Sequence, residues 1–459
     1  ANSTEAINIL KDIERQGFIP NVFHYSAAIS KCAKDGKLEE AKKVFRQMQQ
    51  NKVFPNEFTF SSLIDACANA GRDEEALQFL RVMEERHGLW PNIQSYSAAI
   101  SACEKAGNWE KAIELLREMQ SRGLEPNVIS YNATISACEK AAQTYTALLL
   151  LGEMEENGLE PDEVTFNAAI SACEKGGAEH TDTALSLFEE MCHRGVWPTV
   201  ITYGATISAC EKGGANYTDT ALGLFDEMNQ YDVEPSVITY SAIISACEKG
   251  GADYTQTALS LFGELQENKV APDIITYNDL LTACGKGGGE YIDVALKHFD
   301  EMKSLGCDPD EITYTVIIKA CFDDERYPEA LKKALEAVSE GLVAPLDPNA
   351  KEWDLHNLRE ASASMLLADV LLSSVESSSF RDVRVVTGKG KNSPEGPVLQ
   401  LKVPAFLRNV AGLELSQEIN RHGKTNEGAF VITKEALQKW AKSDDFTRFQ
   451  ALVTGRGQT

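Results

Sequence analysis

The sequence of 459 residues lacks the features that define several classes of protein. No apolar run approaches the roughly 18 residues that a membrane-spanning helix requires, so we expect no association with a membrane. No cofactor or metal motif appears, which argues against an ordinary metabolic enzyme. No strand-like alternation appears before residue 350, so this long part of the chain is predicted to be helical.

Basic residues are also scarce. The formal net charge is −25, which by itself argues against nucleic-acid binding. The charge is unevenly distributed, because residues 1–350 carry 29 Lys and Arg against 56 Asp and Glu, whereas residues 351–459 carry 15 against 13. The net negative charge therefore lies in the N-terminal part. Whether it opposes nucleic-acid binding depends on which face of the protein carries the acidic residues.

Nine of the eleven cysteines recur at an almost constant interval. They are Cys32, Cys67, Cys103, Cys138, Cys173, Cys210, Cys247, Cys284 and Cys321. Their separations of 35–37 residues fit no disulfide framework or zinc site. Such a period indicates one supersecondary unit repeated along the chain. We therefore predict that each of these cysteines is a small buried apolar residue in a reducing compartment.

Each unit has the same two-helix pattern. Residues 237–247 carry apolar side chains at helical spacing, and the glycines at 250–251 favour the end of that helix. Residues 257–265 form a second amphipathic helix, and Pro272 breaks it before the next unit begins. Four units are 37 residues long, and their two extra residues are expected in the loop between the helices. Stacked hairpins of this kind form a solenoid with one long concave face.

Short motifs within the repeats carry a family resemblance. A repeat opens with Thr-Tyr-Asn at 276–278, a second helix ends with Glu-Met at 227–228, and a repeat closes with Pro-Asp at 272–273. These motifs and the period near 35 residues resemble the pentatricopeptide repeat family, whereas the tetratricopeptide repeat lacks that opening and closing. The resemblance implies a mainly α protein, with a right-handed α-solenoid of about nine helical-hairpin repeats over residues 22–346 and a half repeat at 1–21.

The resemblance also implies that each repeat binds one base of single-stranded RNA through its fifth and last residues. A terminal Asp only accepts hydrogen bonds, which suits uracil or guanine, whereas a terminal Asn can donate to adenine or cytosine. A short hydroxyl at the fifth position leaves room for a purine, and Asn there favours a pyrimidine.

Eight repeats carry such a pair, and seven of these pairs can be assigned a base preference. The pairs are Ser26 with Asn56, Ser61 with Asn92 and Ser97 with Asn127 (adenine), Asn132 with Asp162 (uracil), Asn167 with Thr199 (a pyrimidine), Gly204 with Ser236 (open), Ser241 with Asp273 (guanine) and Asn278 with Asp310 (uracil). They predict an RNA core AAAUYNGU. In the ninth repeat Leu346 departs from the pattern as partner of Thr315, so this repeat is expected only to cap the stack.

The second residue of each repeat is mostly apolar, and the resemblance implies that it wedges between bases. These residues are Phe23, Phe58, Ile129, Val164, Ile201, Ile238, Ile275 and Ile312. Gln94, in the third repeat, is the exception. Packing between repeats is the alternative explanation.

Residue thirteen is lysine in seven of the nine repeats: Lys34, Lys105, Lys140, Lys175, Lys212, Lys249 and Lys286. One lysine per base has the spacing of a phosphate backbone, so we predict phosphate contacts. A helix-end role, in which lysine interacts favourably with the helix dipole, is the alternative. Five of these lysines follow a glutamate, which lowers the local positive potential. The acidic residues of the second helices, such as Glu189 and Glu190, are expected on the outer surface.

The helical periodicity stops after Pro348. Strand patterns follow at 351–355, 383–386 and 429–432, and helical patterns at 360–375, 398–410 and 435–442. They predict a small α/β sandwich domain at 353–442, preceded by a linker at 347–352 and followed by a tail at 443–459.

Four motifs in this domain carry a second resemblance. Asp354-Leu355-His356 ends the first strand, Thr387-Gly388-Lys389-Gly390 follows the second, and Gly-Pro at 396–397 and Gly-Ala at 428–429 come later. Together they resemble the Smr (small MutS-related) domain, whose members either cut or only bind nucleic acid. The resemblance implies that Asp354 and His356 are catalytic and that the loop of Thr387, Gly388, Lys389 and Gly390 contacts the substrate. Trp353 and Asn357 depart from the family pattern, and Asn357 puts the turn after His356 in doubt.

These observations predict a sequence-selective single-stranded RNA-binding protein of a chloroplast or mitochondrion, whose repeats place the Smr domain for RNA processing. For that domain, cleavage of nucleic acid and binding alone are the two alternatives. The sequence predicts no metal ligand and no cofactor, and it leaves open whether cleavage requires a divalent metal. The other function class is a non-catalytic adaptor in an organellar ribosome or transcription complex, which the acidic surface favours. The chain begins Ala1 without a methionine, so we expect a processed or trimmed form, with any targeting segment ahead of it.

Overall fold

The structure is a computed structural model that describes residues 2–356, 358–387, 398–419 and 425–455, with the side chains of 417–419 and 425–427 left aside. The chain divides into two compact units, Ala1–Pro235 and Ser236–Thr459. Within the described ranges, no helix is long and apolar enough to cross a bilayer.

The first unit consists of a single helix followed by helix pairs. The helices are α1 (Ser3–Arg15), α2 (Val22–Lys34), α3 (Leu38–Gln50), α4 (Glu57–Asn69), α5 (Asp73–His87), α6 (Ile93–Ala106), α7 (Trp109–Ser121), α8 (Val128–Lys140), α9 (Thr144–Glu156), α10 (Glu163–Gly176), α11 (Thr181–His193), α12 (Val200–Gly213) and α13 (Thr218–Gln230). Each first helix packs against the second helix of its own repeat and against the first helix of the next repeat. This stacking is the packing of a solenoid, in which a repeat contacts only its neighbours.

The longer repeats contain an additional turn between their helices. In the first unit, short 3₁₀ helices at Ala178–His180 and Ala215–Tyr217 occupy this position. Gly214 precedes one of them with φ +88°, a conformation that side-chain-bearing residues rarely adopt. The two extra residues therefore lie in the interhelical loop, as the sequence predicts, and the turn depends on glycine.

A tyrosine in the first helix links the two helices of a repeat. Tyr96 and Tyr131 are completely buried, and each donates its hydroxyl hydrogen to a glutamate of the second helix, at 2.9 Å to Glu118 and to Glu153. A buried hydroxyl without a partner costs about 1–3 kcal/mol, so this bond favours one pairing of the helices. The methionine that follows each glutamate is also buried, as at Met119 and Met154. The Glu-Met motif thus has a structural origin.

The second unit contains further helix pairs and a domain with a sheet. Its elements are α14 (Val237–Gly250), α15 (Thr255–Glu267), α16 (Ile274–Gly287), α17 (Tyr291–Ser304), α18 (Glu311–Asp323), α19 (Tyr327–Ser339), β1 (Glu352–Asp354), α20 (Glu360–Glu376), β2 (Val383–Val386), α21 (Val398–Asn409), β3 (Ser416–Ile419), β4 (Thr425–Ile432), α22 (Lys434–Trp440) and α23 (Asp444–Thr454). A 3₁₀ helix at Ala252–Tyr254 again marks a longer repeat. The predicted fold class, an α-solenoid of helical hairpins followed by a small α/β domain, is confirmed.

The sheet has the strand order β1-β2-β4-β3. Strand β1 is parallel to β2, and β4 runs antiparallel to both β2 and β3. The sequence analysis missed β3 and the first half of β4, because these segments are polar and lack alternating apolar residues. The helix α20 is buried on nearly all of its faces, with Met365, Leu367 and Leu371 at 0% exposure.

The segment at 443–459 that the sequence predicts as a tail contains the helix α23. Its side chains Phe449 and Val453 are completely buried, and the helix packs against α19. The strand β1 begins at Glu352, within the strand predicted at 351–355. Apolar spacing in a segment as short as α23 is a weak signal, which explains why the sequence analysis missed it.

Burial of the repeat cysteines predicts their reactivity. All nine are at 0% exposure, and burial raises the pKa of Cys247 and of Cys284 to about 12. Cys192 is exposed and Cys307 is partly exposed. At pH 8 we therefore expect a thiol reagent to modify only these two cysteines in the native protein, and all eleven in denaturant. The C192S variant should remove one reactive thiol; native labelling of more than two sites would contradict the assigned burial.

Candidate nucleic-acid interface

The last residue of each repeat is also the N-cap of the helix that begins the next repeat. The Oδ1 atom of Asn56 accepts from the backbone N–H of Thr59 at 2.9 Å, and Asp273 accepts from Thr276 at 2.8 Å in the same way. N-caps at the other recognition positions are Asn92, Asn127, Asp162, Thr199, Ser236 and Asp310. These side chains satisfy backbone donors that a helix start leaves unpaired.

The N-cap hydrogen bond uses one polar atom of the side chain and so determines which polar atom remains free to bind a further partner. A backbone N–H requires an oxygen acceptor, so the cap also assigns the amide orientation of Asn56. With Oδ1 committed, asparagine keeps the Nδ2 donor for a further partner, whereas an ionised aspartate such as Asp273 keeps the Oδ2 acceptor. The structure therefore provides the donor–acceptor difference on which the predicted base assignments depend.

The fifth residue of a repeat lies next to the last residue of the same repeat. In the first repeat, the hydroxyls of Ser26 and Thr59 are 2.6 Å apart, and Thr59 Oγ1 donates to Asn56 Oδ1 at 2.8 Å. In the fourth repeat, Asn132 Nδ2 donates directly to Asp162 Oδ1 at 2.9 Å. The structure thus brings both predicted recognition residues of these repeats into one hydrogen-bonded group.

Several other predicted fifth residues show the same arrangement. Ser61 bonds Ser95 at 3.0 Å, Ser97 bonds Ser130 at 2.8 Å, and Asn167 accepts from Thr202 at 2.6 Å. In the second unit, Ser241 and Asn278 are half-buried at the same helical position. The linking hydroxyl at the third position was not among the predicted site residues, although Thr or Ser occupies it in eight of nine repeats.

The second residues of the repeats form a set of exposed apolar side chains. Their exposures are Phe23 74%, Phe58 50%, Ile129 62%, Val164 53%, Ile201 59%, Ile238 68%, Ile275 59% and Ile312 61%. Packing between repeats would bury these side chains, so it does not account for them. Each sits one position after the start of a first helix and two positions after the N-cap residue.

The thirteenth residues form a ladder of ion pairs between repeats. The Nζ atom of Lys140 lies 2.5 Å from Glu104, and that of Lys175 lies 2.5 Å from Glu139. In each pair, the glutamate is residue twelve of the preceding repeat. The pairs Lys212–Glu174 and Lys286–Glu248 have the same arrangement, and we name these four pairs the lysine–glutamate ladder.

The ladder combines the two roles predicted for the lysines. Lys286 also donates to the backbone carbonyl of Glu248 at 2.8 Å, at the end of the preceding first helix. Its side chain is nevertheless 41% exposed, against 16% for that of Glu248. Lys105 instead contacts Asn69 Oδ1 at 3.1 Å, because the second repeat has asparagine at position thirteen. A phosphate would therefore compete with a protein partner for these ammonium groups.

Asp354 and His356 form a hydrogen-bonded pair at the end of β1. The distance from His356 Nδ1 to Asp354 Oδ1 is 2.6 Å, and the two side chains are 51% and 48% exposed. Burial raises the pKa of Asp354, but the hydrogen bonds from His356 outweigh it, so this pKa lies below its ordinary value. The carboxylate is therefore ionised at neutral pH and favours the tautomer with hydrogen on Nδ1, which leaves the Nε2 lone pair for an external proton.

The neighbouring strand contributes further residues to this edge of the sheet. Thr387 directly follows β2, but its hydroxyl is buried and donates to the Gly428 carbonyl at 3.3 Å, which commits it to the sheet. The other predicted loop residues, Gly388, Lys389 and Gly390, lie outside the described residues, as does Asn357. Arg384 on β2 pairs with Glu352 at 2.6 Å and lowers the pKa of Asp354. The sequence analysis missed Arg384, although alternation with the buried Val383 and Val385 indicates its exposed face.

The described ranges contain no group of three or more His, Cys, Asp or Glu side chains placed to hold a metal ion. His356 offers a site for proton transfer, and the repeat ends offer hydrogen-bonding groups.

Comparison with protein families agrees with both parts of the structure. The pentacotripeptide-repeat region of PRORP matches residues 1–147, the PPR repeat family 126–175 and 289–323, the PPR repeat 164–196, and the pentatricopeptide repeat domain 223–287. The Smr domain matches residues 353–444. Comparison with curated proteins finds no match.

Solved structures of pentatricopeptide repeat proteins are similar in fold. PPR10 in complex with an 18-nt psaJ RNA element has a TM-score of 0.58 and 22% identity, and the alignment covers 73% of this chain and 48% of that chain. PPR10 from maize has a TM-score of 0.43 and 21% identity, with coverages of 82% and 62%. The chain thus spans about half the length of the RNA-bound PPR10 that it matches.

The repeated hairpins and the family matches define a helical-repeat protein. The chain belongs to the pentatricopeptide repeat family. It carries in addition a C-terminal Smr domain.

Proposed function

We propose that this protein binds single-stranded RNA selectively, with one base per repeat and a preferred core AAAUYNGU. The observation that carries the proposal is the hydrogen-bonded group at the repeat ends, such as Ser26, Thr59 and Asn56. Each group presents one defined donor or acceptor beside an exposed apolar side chain, which suits the edge and the face of an unpaired base. The RNA-bound PPR10 is a relative in fold that supports this proposal.

The base preference is tested by a substitution at Asp273. Asparagine caps helices about as well as aspartate, so D273N should keep the cap and leave the melting temperature nearly unchanged. The outward acceptor becomes a donor, and the preference at the seventh base should shift from guanine toward adenine. Selection of RNAs from a random pool with wild type and variant measures this shift.

The bases at the other positions of the core provide an internal control for this selection, because D273N alters only the seventh repeat. The other bases of the selected core should be the same for D273N and wild type. An unrelated sequence from the wild-type protein, or an identical seventh base from the variant, would show that the assigned code is wrong.

The lysines at position thirteen of the repeats are proposed to contact phosphates when RNA binds. Replacing Lys175, Lys212 and Lys249 together by glutamine should weaken binding of all RNAs alike and reduce the salt slope by about two, at about 0.7 per phosphate contact. Titrations at several salt concentrations measure the slope. As a matched control, E139Q with E174Q removes the competing carboxylates from two of these lysines and should strengthen RNA binding. Unchanged slopes would leave the lysines with their role at the helix ends.

We further propose that the Smr domain cuts the bound RNA by phosphodiester hydrolysis. His356 Nε2 would take the proton from a water molecule as that water forms a new bond to phosphorus, and the proton would pass to the leaving oxygen as the old bond breaks. Asp354 holds Nδ1 and stabilises the imidazolium that forms in between. Arg384, on the adjacent strand, provides a positive charge for the phosphate.

Cleavage is tested with the intact chain and an RNA that carries the selected core and an extended 3′ flank. We expect a cut near the C-terminal end of the footprint, because the repeats are expected to run 5′ to 3′ along RNA. H356A should abolish cutting and leave the dissociation constant unchanged, since the pair lies outside the repeats. If wild type binds this RNA but leaves it whole with and without Mg²⁺, the domain acts in binding or as an adaptor in a larger complex.

We place this activity in a chloroplast or mitochondrion, in line with the resemblance on which the RNA proposal rests. Imaging of the full-length gene product carrying a C-terminal fluorescent tag tests the location. A signal confined to the nucleus and cytosol would overturn it.

A further inference from the structure

The ninth repeat, formed by α18 and α19, packs against the Smr domain on the side away from the eighth repeat. The helix α20 contacts both α18 and α19, as the first helix of a tenth repeat would. It also contacts α21, which lies in the Smr domain. The helix α20 is buried on nearly all of its faces, and small or apolar side chains occupy most of its positions. The Smr domain therefore takes the place of the next repeat in the stack.

An aromatic cluster joins the two parts. The ring centroids of Phe322 and Phe406 are 5.4 Å apart, those of Tyr327 and Phe406 are 5.9 Å apart, and those of Phe406 and Phe449 are 6.2 Å apart. Phe322 and Tyr327 belong to the ninth repeat, Phe406 belongs to the Smr domain, and Phe449 belongs to the helix α23 that follows it. Aromatic pairs at such distances stabilise a contact beyond the effect of the area that they bury.

The connecting segment is also held in place. The indole N–H of Trp353 donates to the Asp347 carbonyl at 2.8 Å, and Arg381 donates to Asn349 Oδ1 at 2.9 Å. At the C-terminal end of α23, a Cβ at Gly455 would lie 3.3 Å from the ring of Pro328 on α19, so the Gly455 backbone approaches that ring closely. These contacts leave little freedom for the Smr domain to move as a separate body on a slack linker.

The ninth repeat departs from the others at the residues that make this contact. Position twelve is glutamate in five repeats and provides the carboxylates of the ladder, but in the ninth repeat it is Phe322. Leu346 stands where other repeats have the N-cap of a following helix, and no capping side chain is needed there because the linker follows. At two positions where other repeats have polar residues, the ninth repeat therefore has apolar residues, and Phe322 contacts the following domain.

We propose that the ninth repeat serves as a docking platform that holds the Asp354–His356 pair at a fixed distance from the last complete recognition pair, Asn278 and Asp310. The position of the RNA cut is then set by a constant spacing from the recognised sequence. This inference rests on the proposed function, but the docking itself is a separate property of the fold.

The experiment uses the intact chain with F322E. Glutamate occupies position twelve of five other repeats, so the hairpin tolerates it, but here it places a charge against Phe406. F322L, which keeps an apolar side chain, is the matched control. Hydrogen exchange followed by mass spectrometry should show protection of α19 and α23 reduced at least about tenfold in F322E and unchanged in F322L. Protection of α14 to α17 should be the same in all three proteins.

The second measurement maps the ends of RNA cut from the substrate described above. Wild type and F322L should cut at one position, whereas F322E should cut at several positions or more slowly at the original one, with the same dissociation constant for RNA. Unchanged protection in F322E would overturn the docking platform, whatever the cutting pattern. Reduced protection with the same single cut would overturn the fixed-spacing role. If wild type does not cut but protection falls in F322E, the docking stands and the proposed nuclease activity fails.

Discussion

The hydrogen bond between the last side chain of a repeat and the start of the next first helix is the interaction on which the rest of the structure depends. It satisfies a backbone donor that the helix cannot satisfy itself, and it fixes the orientation of the side chain that carries it. The Oδ1 atom of both Asn56 and Asp273 accepts the backbone hydrogen bond. The remaining terminal atom is the donor Nδ2 in Asn56 and the acceptor Oδ2 in Asp273. Caps such as Thr199 have only a hydroxyl, which leaves no second terminal atom. Under the proposed function, stability and base preference share one side chain, and an exchange of Asn for Asp is expected to change the base preference with little cost to stability.

The lysine–glutamate ladder explains how an acidic chain remains compatible with RNA. Each ladder lysine is paired with a glutamate, so this row of the protein is close to neutral in the free state. Exposed ion pairs contribute at most about 1 kcal/mol each, which a phosphate can replace at a modest cost. Nonspecific RNA binding depends mainly on positive charge. Under the proposed function, a nearly neutral row in a strongly negative solenoid would suppress nonspecific binding and leave a larger share of the affinity to the bases.

The sequence was sufficient for the features that repeat and insufficient for those that occur once. The period of the cysteines predicted the hairpins and their burial, since nine examples of one pattern reinforce each other. The family resemblance selected the second residues and the recognition pairs, and the same register gave their positions along the chain. By contrast, β3 and α23 are single short segments without a clear apolar period, so only their tertiary contacts define them. The partners of the lysines were also missed, because the contact between position thirteen and position twelve of the preceding repeat depends on how the hairpins stack.

At the C-terminal end of the stack, the apolar face of the last hairpin has to be covered, and the element that covers it also joins the solenoid to the Smr domain. The last hairpin of any such array has an apolar face with no following repeat, and it must be covered to keep the protein soluble. Here α20 covers that face, and it can do so because its own opposite side packs against α21. A polar capping helix would also have solved the problem, but it would have left the next domain on a free tether. Covering the face with a helix that belongs to the Smr domain converts the obligatory cap into a rigid joint. Phe322 stands where five other repeats have glutamate, and this change suits the joint, since a carboxylate at this half-buried position would lie against the Phe406 ring.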